Sequence, residues 1–401
     1  MSAPAHRESP VSDYLSNLLA RIFTRSENFV AGRYWHLETL FLAVLFSVLF
    51  SAGVDDRLYE VNNNHYYPSY FKKIEHPLLN LASQYDPWTH DAKLNFRLTV
   101  PVLLHIVHWP IEQRWILPVL TAIAICGIIF VSCIFTTRVT GDRVCGLYTA
   151  LGVSCTYMGS FGFTMYYDAI ALAQLTLAML PGLHWFFRAV LVFSAAFTDE
   201  RAFIAAPILL VQSLYSTDPN APLRPRFFRA DSLAVVGGMA AYCVGRALLV
   251  KFAGLSSPMA GTGFGNLLAN LPYYHAGIWL ALKGGWLLIF VASVALWQRR
   301  EVFLLLFFLG AAGISIMGGL CVEDVIRSTS YVFPALLVAI FLISRRDTAY
   351  ALRCYCLVAF VISAVAGNYN IWRSEISWFQ PIAVKVIHAG LQFLLSPFVT
   401  K

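Results

Sequence analysis

Apolar runs of membrane-spanning length recur along this chain from residue 38 almost to its end. They lie at 38–54, 116–136, 144–163, 169–183, 187–197, 202–215, 232–252, 275–297, 302–320, 330–344 and 350–368. Because a hydrocarbon core takes about 20 residues of helix, such runs are typical of transmembrane segments. The sequence therefore predicts an all-α fold, a polytopic transmembrane helical bundle of about 11–12 spans.

Composition excludes a soluble globular domain. Of the 401 residues, 58% are hydrophobic and only 13% are charged, whereas soluble domains carry about 25% charged residues. The formal charge of +7 comes from basic residues in twos and threes between apolar runs. That pattern indicates membrane topology rather than a nucleic-acid partner. The eight cysteines lie in or beside apolar runs without a CxxC pair, so neither a disulfide framework nor a zinc site is expected.

The arginines orient the predicted spans. If the segment 1–37 is cytoplasmic, every second connection carries basic residues: Arg138 with Arg143, Arg188, Arg224 with Arg226 and Arg229, Arg299 with Arg300, and Arg345 with Arg346. Basic residues near span ends resist translocation, so these connections are predicted to face the cytoplasm of a bacterial inner membrane.

The opposite face receives the long first loop, 55–115, within a transmembrane domain predicted over 38–368. The apolar stretch Leu98–Trp109 in this loop is too short to span and predicts a helix in the interface. No internal repeat and no pair of Gly- or Pro-broken spans is evident. The tail, 369–401, is predicted to be an interfacial helix or a last transmembrane helix.

Two adjacent carboxylates, Asp55 and Asp56, follow the first span directly. An ionised carboxylate near hydrocarbon is costly unless it is paired or solvated, so this placement suggests a use. The alternative is a pair of interfacial caps after the helix. The loop then continues with Tyr66, Tyr67, Lys72 and Lys73, polar and cationic groups that a site could employ.

Later outer corners carry further charges. "TDER" places Glu200 and Arg201 between two short apolar runs, and "VEDVIRSTSYVFP" places Arg327 and Tyr331 before another. Arginine suits a phosphate head group, although snorkelling at a hairpin is the alternative for Arg201. Asp168 opens a span, where capping the helix is the alternative to a role in a site.

The order of these elements resembles the GT-C superfamily of integral-membrane glycosyltransferases, which includes protein O-mannosyltransferases and lipid A aminoarabinose transferases. The elements are the acids Asp55 and Asp56 after span one, "FRLTVPVL" in the first loop, "RVTGDR", "YYDAIALAQ", "TDERAFIAAP" and "RSTSYVFPAL". The likeness covers roughly 38–345. The chain departs from better-known members in having no C-terminal soluble outer domain and in carrying acids in the charged corner.

The resemblance implies an inverting transferase with a polyprenyl-phosphate-linked sugar as donor and a glycan, lipid or protein as acceptor, at an active site facing outside. Asp55 or Asp56 would be the general base. Arg201 and Arg327 would hold the donor phosphate, with help from Lys72 or Lys73. The substrate cavity would include Tyr66, Tyr67, Asp168, Glu200 and Tyr331.

Other classes stay open at this stage. A secondary transporter would also need intramembrane charges, a polysaccharide ligase would be built around a large later outer loop, and an assembly subunit would need no chemistry. No cofactor is implied. His105 and His108, three residues apart, leave a divalent cation as an option that requires a third ligand in space.

Overall fold

The computed structural model of the chain describes residues 10–50, 67–85, 91–110, 115–160, 167–215, 223–256, 263–322, 324–366, 368–372, 375–379, 386, 387 and 390. Asp55, Asp56 and Tyr66 lie outside the described residues, and so does the Tyr67 side chain.

The described chain is helical apart from one hairpin. The helices are α1 Pro10–Val30, α2 Trp35–Phe50, α3 Tyr67–Glu75, α4 Thr99–Ile106, α5 Ile116–Thr140, α6 Arg143–Ser154, α7 Tyr157–Ser160, α8 Asp168–Ala178, α9 Trp185–Thr198, α10 Arg201–Ala205, α11 Pro207–Leu214, α12 Leu223–Phe227, α13 Ala230–Ala253, α14 Phe264–Ala269, α15 Tyr274–Leu282, α16 Gly285–Gln298, α17 Val302–Leu320, α18 Val325–Thr329, α19 Phe333–Ser344 and α20 Ala349–Val365. Short 3₁₀ turns lie at Leu81–Ser83, Asp91–Phe96, Leu271–Tyr273 and Ser330–Val332.

Each of the eleven predicted apolar runs falls on one or more of these helices, which confirms the all-α bundle. Within the described residues, 4 helical segments are long and apolar enough to cross a membrane, or up to 5 if a bent pair counts as one. They are Ile116–Thr140, Ala230–Ala253, Val302–Leu320, Val325–Ser344 and the bent pair Leu271–Leu282 with Gly285–Gln298. Five further apolar helices are shorter, with 10–17 residues. The chain is an integral membrane protein, and the total of 11–12 spans stays a prediction.

Local sequence signals set several helix ends. Gly141 ends α5 in the left-handed conformation, at φ 72°, which glycine adopts without a steric penalty. Asp142 then caps α6, because its carboxylate accepts from the Val144 N–H at 2.8 Å. Thr348 caps α20 in the same way. The 8-residue α4 is too short to cross a membrane, as predicted for the first loop.

The predicted run 275–297 is a broken helix. α15 and α16 meet at 87°, and Lys283 at the break has a φ of 46°. A Cβ on the adjacent Gly284 would lie 2.0 Å from the Ala359 carbonyl oxygen, so α20 approaches the backbone here more closely than any side chain allows. The sequence analysis treated 275–297 as one continuous run, and the glycines of "KGG" permit the break.

The core of the bundle lies around Val325–Ser344, whose spanning segment is entirely buried in the protein. This segment packs against α5, α11 and α16. By contrast, most residues of α13 and α17 are not buried, and their exposed apolar side chains suit contact with lipid. The bundle is thus layered, with one central helix and an apolar outer surface.

One end of the bundle gathers the connections predicted to face outside. The first loop joins the later loops there, since Asn80 Nδ2 donates to the Gly254 carbonyl at 2.8 Å and Asn95 Nδ2 donates to the Ser256 carbonyl at 2.6 Å. Thr99 donates to the Ser194 carbonyl at 2.7 Å. We call this the acid-rich end, because Asp168, Asp199 and Asp324 meet there.

The connections predicted to be cytoplasmic carry the opposite charge. Arg188 pairs with Asp231 at 2.8 Å, and Arg353 bridges Asp142 and Glu27, each at 2.5 Å. Arg299 Nη1 donates to Tyr215 Oη at 2.7 Å. We call these connections the basic end, defined by Arg138, Arg143, Arg188, Arg224, Arg226, Arg229, Arg299, Arg300, Arg345, Arg346 and Arg353.

The tail, 369–401, contains a β-hairpin that the sequence analysis did not predict, and its C-terminal helix stays a prediction. Strand β1, Asn368–Trp372, pairs antiparallel with β2, Glu375–Phe379, in the register Asn368↔Phe379. Aromatic and β-branched residues alternate with polar ones along "NYNIW" and "EISWF", a pattern of period two that favours strands over a helix. The stretch quoted for the helix, 381–398, lies outside the described residues except at 386, 387 and 390.

Candidate functional site

Arg201 lies at the centre of a buried group of charges at the acid-rich end. Its Nε and Nη2 donate to the two carboxylate oxygens of Asp199 at 2.8 and 2.7 Å. Nη2 also donates to Asp168, and Nη1 donates to Ser328 Oγ at 2.5 Å. Arg201 is therefore held by two carboxylates and a hydroxyl, and its charge is neutralised within the protein.

Arg97 reaches the same group from the first loop. It follows the 3₁₀ turn Asp91–Phe96, and the next residue fixes this stretch to α9 through a 2.7 Å bond from the Leu98 N–H to the Phe197 carbonyl. Arg97 Nη2 lies 3.1 Å from Asp199 Oδ2. Its side chain is only 6% exposed, and Nε and Nη1 have no hydrogen-bond partner in the described part of the chain.

Arg327 completes the group from the start of α18. Its Nε lies 3.0 Å from Asp324 Oδ2 and 3.8 Å from Asp168 Oδ2. We call Arg97, Asp168, Asp199, Arg201, Asp324 and Arg327 the ion cluster. It contains three cations and three anions from four separate segments of the chain, so it is balanced in charge.

The arginines keep the buried carboxylate of Asp199 ionised. Burial alone raises the pKa of this carboxyl, but the guanidinium groups of Arg201 and Arg97 outweigh burial and hold the pKa well below its usual range. Burial also lowers the pKa of Arg97, and the carboxylates of Asp199 and Glu200 together more than restore it. The pair therefore stays charged at physiological pH.

Two tyrosines border the ion cluster. The Arg201 guanidinium lies 5.0 Å from the centre of the Tyr331 ring, a cation–π contact. Tyr167, which precedes Asp168, packs edge-on against Tyr70 of α3 with ring centres 5.0 Å apart. The hydroxyls of Tyr167 and Tyr331 are buried, and neither has a hydrogen-bond partner among the described residues. Buried polar atoms normally have a hydrogen-bond partner, so each of these hydroxyls is available to bind a ligand or a water molecule.

Several predicted site residues meet here. Asp168, Arg201, Arg327 and Tyr331 lie in direct contact, and the half-buried Glu200 is next to Asp199 at the start of α10. Asp168 is the first residue of α8, but its carboxylate pairs with Arg201, and Tyr167 occupies the cap position. The geometry thus gives Asp168 an ion-pairing role rather than the capping one.

The lysines of the first loop contact their own segment. Lys72 is exposed and its Nζ donates to Tyr85 Oη at 3.1 Å, while Lys73 is buried and donates to the Leu79 carbonyl at 2.8 Å. Neither contact involves the ion cluster. Asp55, Asp56, Tyr66 and the Tyr67 side chain lie outside the described residues, so their predicted roles stay predictions.

Sequence reasoning missed Arg97, Asp199 and Asp324 as members of the site. Asp199 lies in the quoted corner "TDER" and Arg97 in the quoted stretch "FRLTVPVL", yet neither received a role. Their positions in the sequence could have revealed them, because each is a charged residue beside an apolar run at a connection predicted to face outside, where an unpaired charge would be costly.

The cluster can bind an anion more readily than a cation. Guanidinium groups bind phosphate through charge-assisted hydrogen bonds, and the N–H groups on Nε and Nη1 of Arg97 provide such donors. Within the described residues, no group of three or more His, Cys, Asp or Glu side chains could hold a metal ion.

Comparison with known proteins does not add a family to this description. No protein-family model, no curated protein and no solved structure matches the chain. The class defined here is that of an integral-membrane helical bundle with a buried ion cluster at one end.

Proposed function

We propose that the chain is an integral-membrane glycosyltransferase of the GT-C type, which moves a sugar from a polyprenyl-phosphate donor to an acceptor outside a bacterial inner membrane. The observation that carries this proposal is the convergence of Arg97, Arg201 and Arg327 from three outer connections, with Nε and Nη1 of Arg97 buried and without a partner in the described chain. A buried guanidinium with unmade hydrogen bonds is costly, and a bound phosphate would make them.

We assign different roles to the arginines: one positions the carboxylates of the cluster and another binds the donor phosphate. Arg201 is already bound to two carboxylates and Ser328, so we assign it to holding Asp168 and Asp199 in place. We assign the donor phosphate to Arg97, which pairs with Asp199, while Arg327 lies beside Asp168 in the same ion cluster. This assignment moves the phosphate from the pair predicted from sequence toward the first loop, where the acids Asp55 and Asp56 also belong.

The proposed reaction balances without a cofactor. The acceptor hydroxyl oxygen attacks the anomeric carbon from the face opposite the phosphate, and the carbon–oxygen bond to the phosphate breaks with inversion. The hydroxyl proton passes to Asp55 or Asp56, and the electron pair leaves on the phosphate oxygen. Guanidinium groups stabilise the negative charge that develops there, so the leaving group needs no proton. The acceptor is a glycan, lipid or protein.

The orientation of the chain supports a site outside. The ion cluster occupies the end opposite the connections rich in arginine, and basic residues favour the cytoplasmic side. The N-terminus would then be cytoplasmic. A lipid-linked donor places its phosphate at the membrane surface, where the proposed orientation also puts the first loop.

Sugar transfer tests the proposal directly. In vesicles supplied with a polyprenyl-phosphate-linked sugar, we expect transfer by the parent protein and a loss of about 10²–10⁴-fold in Asp55→Asn or Asp56→Asn, since either change removes the carboxylate base but keeps its size. If both variants transferred sugar at the parental rate, neither carboxylate would be the general base.

One observation favours a secondary transporter as a second candidate. The broken helix at Lys283 has the form of the discontinuous helices that carry substrate sites in transporters. Lys283 is buried at the break, and its Nζ lies 3.2 Å from the Ala366 carbonyl. Solute uptake that depends on Lys283, with no sugar transfer by the parent protein, would favour this candidate over the transferase.

A further inference from the structure

Three connections of the basic end meet at Tyr215, away from the ion cluster. Arg299 donates to the Tyr215 hydroxyl at 2.7 Å, and Arg229 donates to the Tyr215 carbonyl at 3.1 Å. The Tyr215 ring lies 5.5 Å from the Phe341 ring, over which Arg345 is placed at 5.0 Å. We call Tyr215 with the ranges 223–229, 297–303 and 341–347 the basic corner.

The basic corner carries more positive charge than its acids neutralise. Its arginines are Arg224, Arg226, Arg229, Arg299, Arg300, Arg345 and Arg346, and its acids are Glu301 and Asp347. Glu301 is buried and is shared by Arg299 at 3.3 Å and Arg226 at 3.9 Å. Arg224, Arg229, Arg300 and Arg345 are exposed, so the surplus charge faces the surroundings.

Exposed aromatic side chains lie between these arginines. Trp297 is 65% exposed and Phe228 is 64% exposed, and the rings of Phe227 and Phe303 meet 6.3 Å apart. An open depression of about 320 Å³ is lined by Trp297, Gln298, Arg300 and Val302. It therefore combines a cation, an amide and an indole in one concave surface.

We propose that this depression binds the headgroup of an anionic phospholipid, with the acyl chains lying against the apolar side chains beside it. The charge is complementary to a phosphodiester, and each arginine near an anionic membrane surface adds to the attraction. Exposed Trp and Phe beside Arg are typical of the membrane interface, where an aromatic ring meets the acyl region and the cation meets the headgroup. A free phosphate in solution would not account for the aromatic residues.

The binding of defined lipids tests this site without reference to catalysis. Protein stripped of lipid in a neutral detergent is mixed with phosphatidylglycerol or phosphatidylcholine, and bound lipids are counted by native mass spectrometry. We expect tighter binding of phosphatidylglycerol, and a loss of about fivefold in its affinity for Arg300→Gln and again for Arg224→Gln. Trp297→Ala should weaken the binding of both lipids.

Arg138→Gln serves as the matched control. Arg138 is also exposed at the basic end, but it lies at another connection, where it donates to the Pro181 carbonyl at 3.3 Å. The control should bind phosphatidylglycerol as the parent does. Equal binding of the two lipids by the parent would overturn the proposal, as would full retention in Arg300→Gln or displacement of the lipid by millimolar inorganic phosphate.

Discussion

Arg97 Nη2 lies 3.1 Å from Asp199 Oδ2, and this ion pair fastens the first loop to the corner between α9 and α10. Asp199 is completely buried and also accepts three hydrogen bonds from Arg201, two from the guanidinium group and one from the backbone N–H. A single carboxylate therefore compensates two guanidinium groups inside the protein. Its removal would leave Arg97 without the carboxylate that it contacts, and Arg201 with Asp168 alone.

The first prediction concerns the stability that Asp199 provides. Asp199→Asn keeps the shape of the side chain but removes its charge, and breaking a buried ion pair from one side costs about 3–5 kcal/mol. We expect a loss of that size in the free energy of unfolding, measured by equilibrium denaturation in mixed detergent micelles.

Asp231 offers a matched control for Asp199. It pairs with Arg188 at 2.8 Å, but its own side chain is 48% exposed, and the buried Arg188 keeps a hydrogen bond to the Leu180 carbonyl at 3.3 Å, so losing this pair costs less than losing a pair buried on both sides. Asp231→Asn should therefore change the free energy of unfolding little. An equal effect of the two substitutions would show that Asp199 does not serve as the buried counter-ion of the cluster.

The second prediction concerns pH and Lys73. Burial lowers the pKa of Lys73 from its ordinary value of 10.5 to about 8. Between these two values the unfolded chain holds a proton that the folded protein has lost, so the free energy of unfolding rises with pH there. Below about 8 both states are protonated, and Lys73 adds no slope.

Thermal unfolding across this pH range checks the effect of Lys73. Relative to Lys73→Met, the parent protein should gain stability as the pH rises above about 8. Lys72→Met is the control, because Lys72 is exposed on the same helix, and this variant should keep the parental slope. Identical slopes for the parent and Lys73→Met would contradict a buried lysine with a lowered pKa.

The third prediction concerns topology. We expect a cysteine at Leu78 to react with an impermeant reagent in intact cells, and one at Phe228 to react only after the membrane is opened, because the proposed orientation places the acid-rich end outside. Both side chains are exposed, at 55% and 64%. The test needs a background without the eight native cysteines. If only the cysteine at position 228 were labelled in intact cells, the orientation would be the opposite of the proposed one, and the donor site could not lie outside.

The helices could be predicted from sequence because apolar length is a local signal that tertiary contacts do not override. The broken span at Lys283 was missed, since "KGG" interrupts an apolar run whose mean hydropathy stays high. The hairpin Asn368–Phe379 was missed because the apolar stretch that follows it favours a helix, and the whole tail was interpreted as one helical unit.

The candidate site was predicted only in part, for a different reason. Asp168, Arg201 and Arg327 could be selected because each charge lies at the end of an apolar run, where it must be paired or used. Which charge pairs with which depends on the packing of distant segments. The sequence therefore could not show that Asp199 is shared by Arg97 and Arg201, or that Arg201 binds Asp168 and Ser328 as well.

The central claim is that Arg97 binds the phosphate of a polyprenyl-linked donor, and equilibrium binding of polyprenyl phosphate to the purified protein tests it most directly. Losing charge-assisted hydrogen bonds worth about 1.5–3 kcal/mol should lower the affinity of Arg97→Gln about 10- to 100-fold per folded protein. Arg97→Lys, which keeps the charge, should lose less. Arg188→Gln, which removes a buried arginine paired with Asp231 at the basic end, should bind as the parent does. Parental affinity in folded Arg97→Gln would contradict the account.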